Sequence, residues 1–137
     1  MKKLIFFLIY CLFFSSCEEI NEHNINVIKK ATLDVHPSVH VGEAFDSYKY
    51  FKRTKWFSRS TKQGREAVIF EGYYYNDDGK YIITIEFIMN KTINENNNEV
   101  DFEVGDTGYK RQGEESVSFR KFDVVGAIFK NQELYFY

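Results

Sequence analysis

Three sets of side chains carry the types and spacings from which chemistry could be built. His36 and His40 stand four apart, the spacing that brings two imidazoles to one helix face to hold a metal ion. Pro37 lies between them and no third ligand follows nearby, so a loop histidine and a helix-capping histidine are the simpler assignments. Glu99, Asp101 and Glu103 alternate along one run, and paired carboxylates on one strand face are what glycoside hydrolysis needs. The solvated side of an ordinary strand has the same pattern, and that assignment is preferred. The third set is Trp56, Arg65 and Tyr50, expected to gather near a helix end, with Tyr73 and Tyr75 beside a hairpin tip. Tyr, Trp and Arg anchor protein interfaces because they join large apolar area to a polar tip. Filling the core is an equal alternative for Trp56. Gly-x-Ser-x-Gly, His-Glu-x-x-His and phosphate-loop motifs are all absent from the sequence. The residues point to binding rather than catalysis, with no cofactor and no metal.

Two cysteines complete the reactive inventory, and both fall in the first seventeen residues. Lys2 and Lys3 precede an apolar run over residues 4–14, too short to span a bilayer but suited to the central region of a signal peptide. Small Ser15 and Ser16 follow, then Cys17. The segment Leu12-Phe13-Phe14-Ser15-Ser16-Cys17 resembles the lipobox of bacterial lipoproteins. That family prefers Leu at the third position before the cysteine, where this chain has Phe14. The resemblance implies cleavage between Ser16 and Cys17 and acylation of the Cys17 thiol, palmitate included. Cys11 is a poor rival because bulky Tyr10 precedes it. A mature chain of this kind has neither a free thiol nor a disulfide, although export would permit one.

Removing residues 1–16 from the 137 leaves 121, enough for one domain with a modest core. The whole chain carries −2, and loss of Lys2 and Lys3 takes the mature chain to −4. That balance argues against nucleic acid as a partner. Aromatic residues make up 18% of the chain and Pro37 is its single proline, a composition suited to β-sheet.

The elements that must position these residues follow from periodicity. Residues 17–30 are mostly polar and suggest a flexible tether, with Val27-Ile28 the earliest point at which the fold could begin. Residues 31–137 form the expected domain. Residues 31–35 suit a short strand ended by Pro37. Val41, Ala44, Phe45, Tyr48 and Phe51 fall at helical spacing, with Ser38 or His40 as N-cap and Glu43 in the first turn. Strands follow. Lys55-Trp56-Phe57 leads to a turn at Gln63-Gly64, and residues 65–75 place Val68, Phe70 and Tyr74 on one side. Asn76-Asp77-Asp78-Gly79 signals a hairpin. Tyr81, Ile83, Ile85, Phe87 and Met89 alternate on one face of the next strand. Residues 94–98 suggest a loop, and residues 99–104 a strand with Val100, Phe102 and Val104 inward. Residues 105–115 suggest a polar loop or exposed hairpin, and residues 117–122 a strand. From residue 122 onward helix and strand signals compete. The sum is an α+β domain, one helix or two on an antiparallel sheet of four to five strands.

The run Val41-Gly42-Glu43-Ala44-Phe45-Asp46-Ser47-Tyr48-Lys49-Tyr50-Phe51, with Trp56, Gly64-Arg65 and Val68-Ile69-Phe70-Glu71-Gly72, is similar to a group of small uncharacterised bacterial lipoproteins and periplasmic proteins. The likeness covers residues 31–72 and implies a cell-envelope location, the outer membrane ahead of the inner, without a defined activity. More distantly, a lipidated helix-and-sheet domain resembles small outer-membrane assembly factors and β-lactamase-inhibitor-like folds, in architecture alone. The expected function is a non-enzymatic lipoprotein, held to the membrane by lipid on Cys17, that binds an envelope protein partner. The alternative is an inhibitor of an exported hydrolase such as lysozyme, acting through an inserted loop at residues 105–115.

Overall fold

The computed structural model describes residues 22–90, 101–118 and 121–136. In chain order its elements are α1 (Glu22–Lys30), β1 (Thr32–Leu33), β2 (His36–His40), α2 (Val41–Asp46), β3 (Phe51–Ser60), β4 (Glu66–Asn76), β5 (Gly79–Met89), β6 (Phe102–Arg111), β7 (Val117–Ser118) and α3 (Lys121–Phe129). Strands β3 to β7 form one antiparallel sheet in sequence order, and β1 with β2 forms a separate two-stranded ribbon. Three helices lie on the sheet, so the fold is α+β, with more helix than the sequence suggested.

The alternation of β4 and β5 organises the core. Val68, Phe70 and Tyr74 of β4 and Tyr81, Ile83, Ile85, Phe87 and Met89 of β5 are buried on the helix-facing side, as their spacing predicts. The β4–β5 turn is the expected one. Asn76 pairs with Gly79, and the Asn76 Oδ1 accepts the backbone N–H groups of Asp78 at 3.0 Å and Gly79 at 3.1 Å. Phe45 of α2 sits at the centre, 4.8 Å from Phe70 edge-to-face, with Phe87 and Phe129 at 5.7 and 6.0 Å.

Several expectations are corrected. Residues 22–30 of the supposed tether form α1, whose Ile25 and Ile28 are buried in the core. Glu22 opens this helix and Lys29 and Lys30 close it, matching the helix dipole at both ends. Residues 31–35 are not one strand; they hold β1 and the turn into β2, and Pro37 lies inside β2, a strand with one free edge where a missing N–H is tolerated. Helix α2 stops at Asp46, with the Ser47 N–H on the Glu43 carbonyl at 3.1 Å. Tyr48 and Phe51 still reach the core, from irregular chain and from the start of β3. Its N-cap is His40, which makes no side-chain capping bond, while Ser38 lies within β2.

Further along, of the two expectations for residues 105–115 the hairpin is the one found and the loop is not: β6 runs to Arg111, pairs with β5 over that length, and turns back into antiparallel β7. The long loop that an inhibitor would insert is thereby reduced to the turn after Arg111. Phe102 and Val104 pack on the core as expected, but β6 begins only at Phe102. Residues 94–100, with Glu99, lie outside the described residues. Strand β7 is two residues long and gives way to α3, whose Val124, Val125 and Ile128 are buried. Residues 132–136 have no regular structure, although Leu134 is buried and Phe136 stacks 4.2 Å from Tyr81.

Candidate functional site

The two faces of the sheet differ in what covers them. Every buried apolar residue of α1, α2 and α3 belongs to the core cluster on the first face, so no described helix covers the second. Ala67 and Ile69 are as buried as the core, at 0% and 2% exposure, yet stand outside that cluster because alternation turns them to the second face. In register around them are Phe57, Arg59, Glu86 and Ile88. Glu86, 6% exposed, is held by Arg59 at 3.3 Å. Toward the β4–β5 turn the same face carries Arg53, Tyr73, Tyr75 and Lys80, with Lys55 and Glu71 below them.

Cations lie over rings here. The Arg53 guanidinium is 4.1 Å from the Tyr73 ring centre, Lys55 Nζ is 4.9 Å from that of Phe57, and Lys80 Nζ is 5.6 Å from that of Tyr75. The Tyr73 hydroxyl donates to Glu71 at 3.3 Å, which fixes the ring edge. Tyr75 is 46% exposed. This arrangement offers flat apolar platforms flanked by donors, the chemistry of an interface.

Of the sequence candidates, the structure brings Tyr73 and Tyr75 together and separates the others. Trp56 pairs with Phe70 and faces the core, partly buried against Phe45, Phe70 and Phe87. Its indole N–H donates to Asp46 Oδ1 at 2.7 Å. Arg65 lies eight residues along β4 from Tyr73, roughly 26 Å at strand spacing, and bonds Asn90 and Glu103. Tyr50 packs near Tyr48 and Tyr74 instead. The Trp56–Arg65–Tyr50 cluster does not form. His36 and His40 occupy opposite ends of β2, about 13 Å apart at strand spacing, and His36 stacks on Phe129 at 4.5 Å. Among the described residues no three His, Cys, Asp or Glu side chains gather as metal ligands. Cys17 and Ser16 lie outside the described residues.

No family model, curated protein or solved structure matches this chain. Its function must be argued from its own geometry.

Away from the second face, a concavity of about 1190 Å³ lies between α3, the C-terminal segment and β6–β7, lined by Tyr50, Tyr109, Val117, Ala127, Leu134 and Tyr135. Beside it two tyrosines hold the C-terminal segment down. The Tyr48 hydroxyl donates to the Gln132 carbonyl at 2.6 Å and the Tyr74 hydroxyl to Glu133 at 3.3 Å. Burial, reinforced by the Glu133 carboxylate, pushes the Tyr74 hydroxyl up to about 12, and burial raises Tyr48 further. Both are therefore neutral donors at physiological pH, serving structure.

Sequence reasoning missed Arg53 and Lys80. A signal for Lys80 was present: a two-residue turn at Asp77-Asp78 places Lys80 directly opposite Tyr75. Arg53 needed the β3–β4 register, which a bulge beside Lys52 shifts.

Proposed function

We propose that this chain is a lipid-anchored protein of the bacterial cell envelope that binds a protein partner and performs no catalysis. The observation that carries the binding proposal is the second face of the sheet, which no described helix covers and which presents Tyr73 and Tyr75 beside Arg53 and Lys80. Supporting the anchor are the cationic start, the short apolar run and the Ser15-Ser16-Cys17 sequence. Helix α1 sharpens the geometry of such an anchor. Glu22 follows Cys17 by five residues, a reach of at most about 18 Å even when fully extended. A domain so held meets partners in the membrane or at its surface.

Two measurements test the proposal. Labelled palmitate should enter the wild type and not Cys17→Ala; equal labelling refutes the anchor. A photo-crosslinking residue at Tyr75 should yield a discrete protein adduct in living cells. The same residue at Val35, exposed in the β1–β2 turn, should not. No adduct from Tyr75, or equal adducts from both positions, removes the second face as the partner surface.

A further inference from the structure

We infer that the second sheet face takes an acidic, extended peptide segment of its partner, with carboxylates seated on Arg53 and Lys80 and apolar side chains on Tyr73 and Tyr75. The inference rests on that face being the partner surface and names the chemistry of what it binds.

Charge allocation carries it. The chain is net negative, yet three carboxylates on this face are already engaged. Glu86 pairs with Arg59, Glu103 pairs with Arg65, and Glu71 accepts the Tyr73 hydroxyl. Among the described residues no ion pair engages Arg53 or Lys80; each lies over a tyrosine ring instead. A guanidinium held over a ring by its cationic centre still has N–H groups with which to bind a carboxylate, while the ring restricts its motion. Uncommitted positive charge is thus concentrated at the turn end of the face, over apolar area, in a protein that elsewhere carries excess acid.

Spacing narrows the ligand. Arg53 stands on β3 in register with Tyr73, and Lys80 on β5 in register with Tyr75. Two strand spacings across and two residues along separate their Cα atoms by about 12 Å. Carboxylates four residues apart on an extended peptide are about 13 Å apart and share a face. A segment of the form Glu-x-x-x-Glu, crossing β3, β4 and β5 obliquely, reaches both cations. Its central residue then lies over Tyr73 and Tyr75. The turn carboxylates Asp77 and Asp78 border the site and oppose such a ligand, so neutralising them should tighten binding.

The experiment uses the full chain in neutral detergent and a fluorescent ten-residue peptide with Glu at positions four apart, against its Gln counterpart. The acidic peptide should bind, and the Gln peptide at least tenfold more weakly. Affinity should fall with salt and drop at least tenfold in Arg53→Gln/Lys80→Gln. It should also fall severalfold in Arg53→Gln and in Lys80→Gln alone, and hold in Lys62→Gln, the same single charge change in the β3–β4 turn at the far end of the sheet. Asp77→Asn/Asp78→Asn should bind severalfold tighter, a gain that loss of folding could not mimic. Equal binding of both peptides, or equal loss in Lys62→Gln, overturns the acidic specificity. The Tyr75 crosslink tests the surface separately, so a crosslink without acidic preference leaves the surface standing and this inference refuted. Vesicles of anionic lipid that outcompete the peptide through the same two cations also overturn it, making the face a membrane contact.

Discussion

The indole N–H of Trp56 and the carboxylate of Asp46 are joined across 2.7 Å, and this bond ties the edge strand β3 to the end of helix α2. The same Asp46 Oδ1 accepts the Thr54 hydroxyl at 3.2 Å, and its Oδ2 lies 2.6 Å from Lys29 of α1. Lys29 in turn stands 5.3 Å over the Trp56 ring. One carboxylate therefore gathers two helices and a strand around the chain's single tryptophan.

Replacing Asp46 with Ala should lower stability by about 1–2 kcal/mol, the range for charge-assisted bonds discounted for a partly exposed site. Asp46→Asn keeps the amide oxygen for Trp56 and loses only the ion pair, so its loss should be about half as large. Urea unfolding followed by Trp56 emission separates the two. Equal midpoints for Asn and Ala would mean that the acceptor oxygen contributes nothing.

Helix α1 belongs to the folded domain. Ile28 is fully buried, with 0% exposure, and Ile25 nearly so. Ile28→Ala should destabilise by about 2–4 kcal/mol, as core truncations do, whereas a residue in a mobile tether would change stability by less than about 0.5 kcal/mol. A midpoint unchanged from wild type would detach α1 from the core.

That helix shows where sequence legibility ends. Strands β4 and β5 were legible because alternation and the Asp77-Asp78 turn are local chemistry, and the same alternation placed Tyr73 and Tyr75 on one face. Helix α1 was not. Nine residues with two buried isoleucines among Asn, Glu and Lys make a marginal helix in isolation, stabilised by the packing partner. Strand β6 was hidden differently. Gly105 and Asp106 stand opposite the single Glu86, and this bulge shifts the inward positions from Phe102 and Val104 to Thr107 and Tyr109. A strict period of two fails there, so residues 105–111 suggest a loop or an exposed hairpin and not the continuation of a long strand. Trp56 and Arg65 were misplaced because only long-range register separates them.

The α1–α2 crossing depends on a residue with no side chain. A Cβ on Gly42 would lie 2.7 Å from Lys29 Cβ and 3.0 Å from the Lys29 carbonyl oxygen. Backbone cannot yield as a side-chain tip can, so Gly42→Ala must push the helices apart, at a cost of about 1–3 kcal/mol. Gain of helix propensity in α2 opposes this by at most about 1 kcal/mol. Denaturant unfolding should show net destabilisation; a stabilised Gly42→Ala would show that α1 shifts freely and that the contact with Lys29 is dispensable.

Alkaline pH should reveal the two tyrosines that hold the C-terminal segment. In the unfolded chain a tyrosine ionises near pH ~10. In the fold, burial and then the Glu133 carboxylate raise Tyr74 to about 12, and burial raises Tyr48 beyond it. Above pH ~10 the unfolded state therefore releases protons that the folded state keeps. The stability linked to these groups is fully present below that pH and is lost as pH rises through the folded values. Tyr74→Phe removes one titrating group along with its bond to Glu133, so it starts less stable at pH 7 but declines less steeply above pH ~10. Glu133→Gln leaves Tyr74 in place and removes a cause of its shift, which should flatten the same limb by a smaller amount. Urea midpoints measured from pH 8 upward give the three slopes, and parallel curves for all three proteins would refute the linkage.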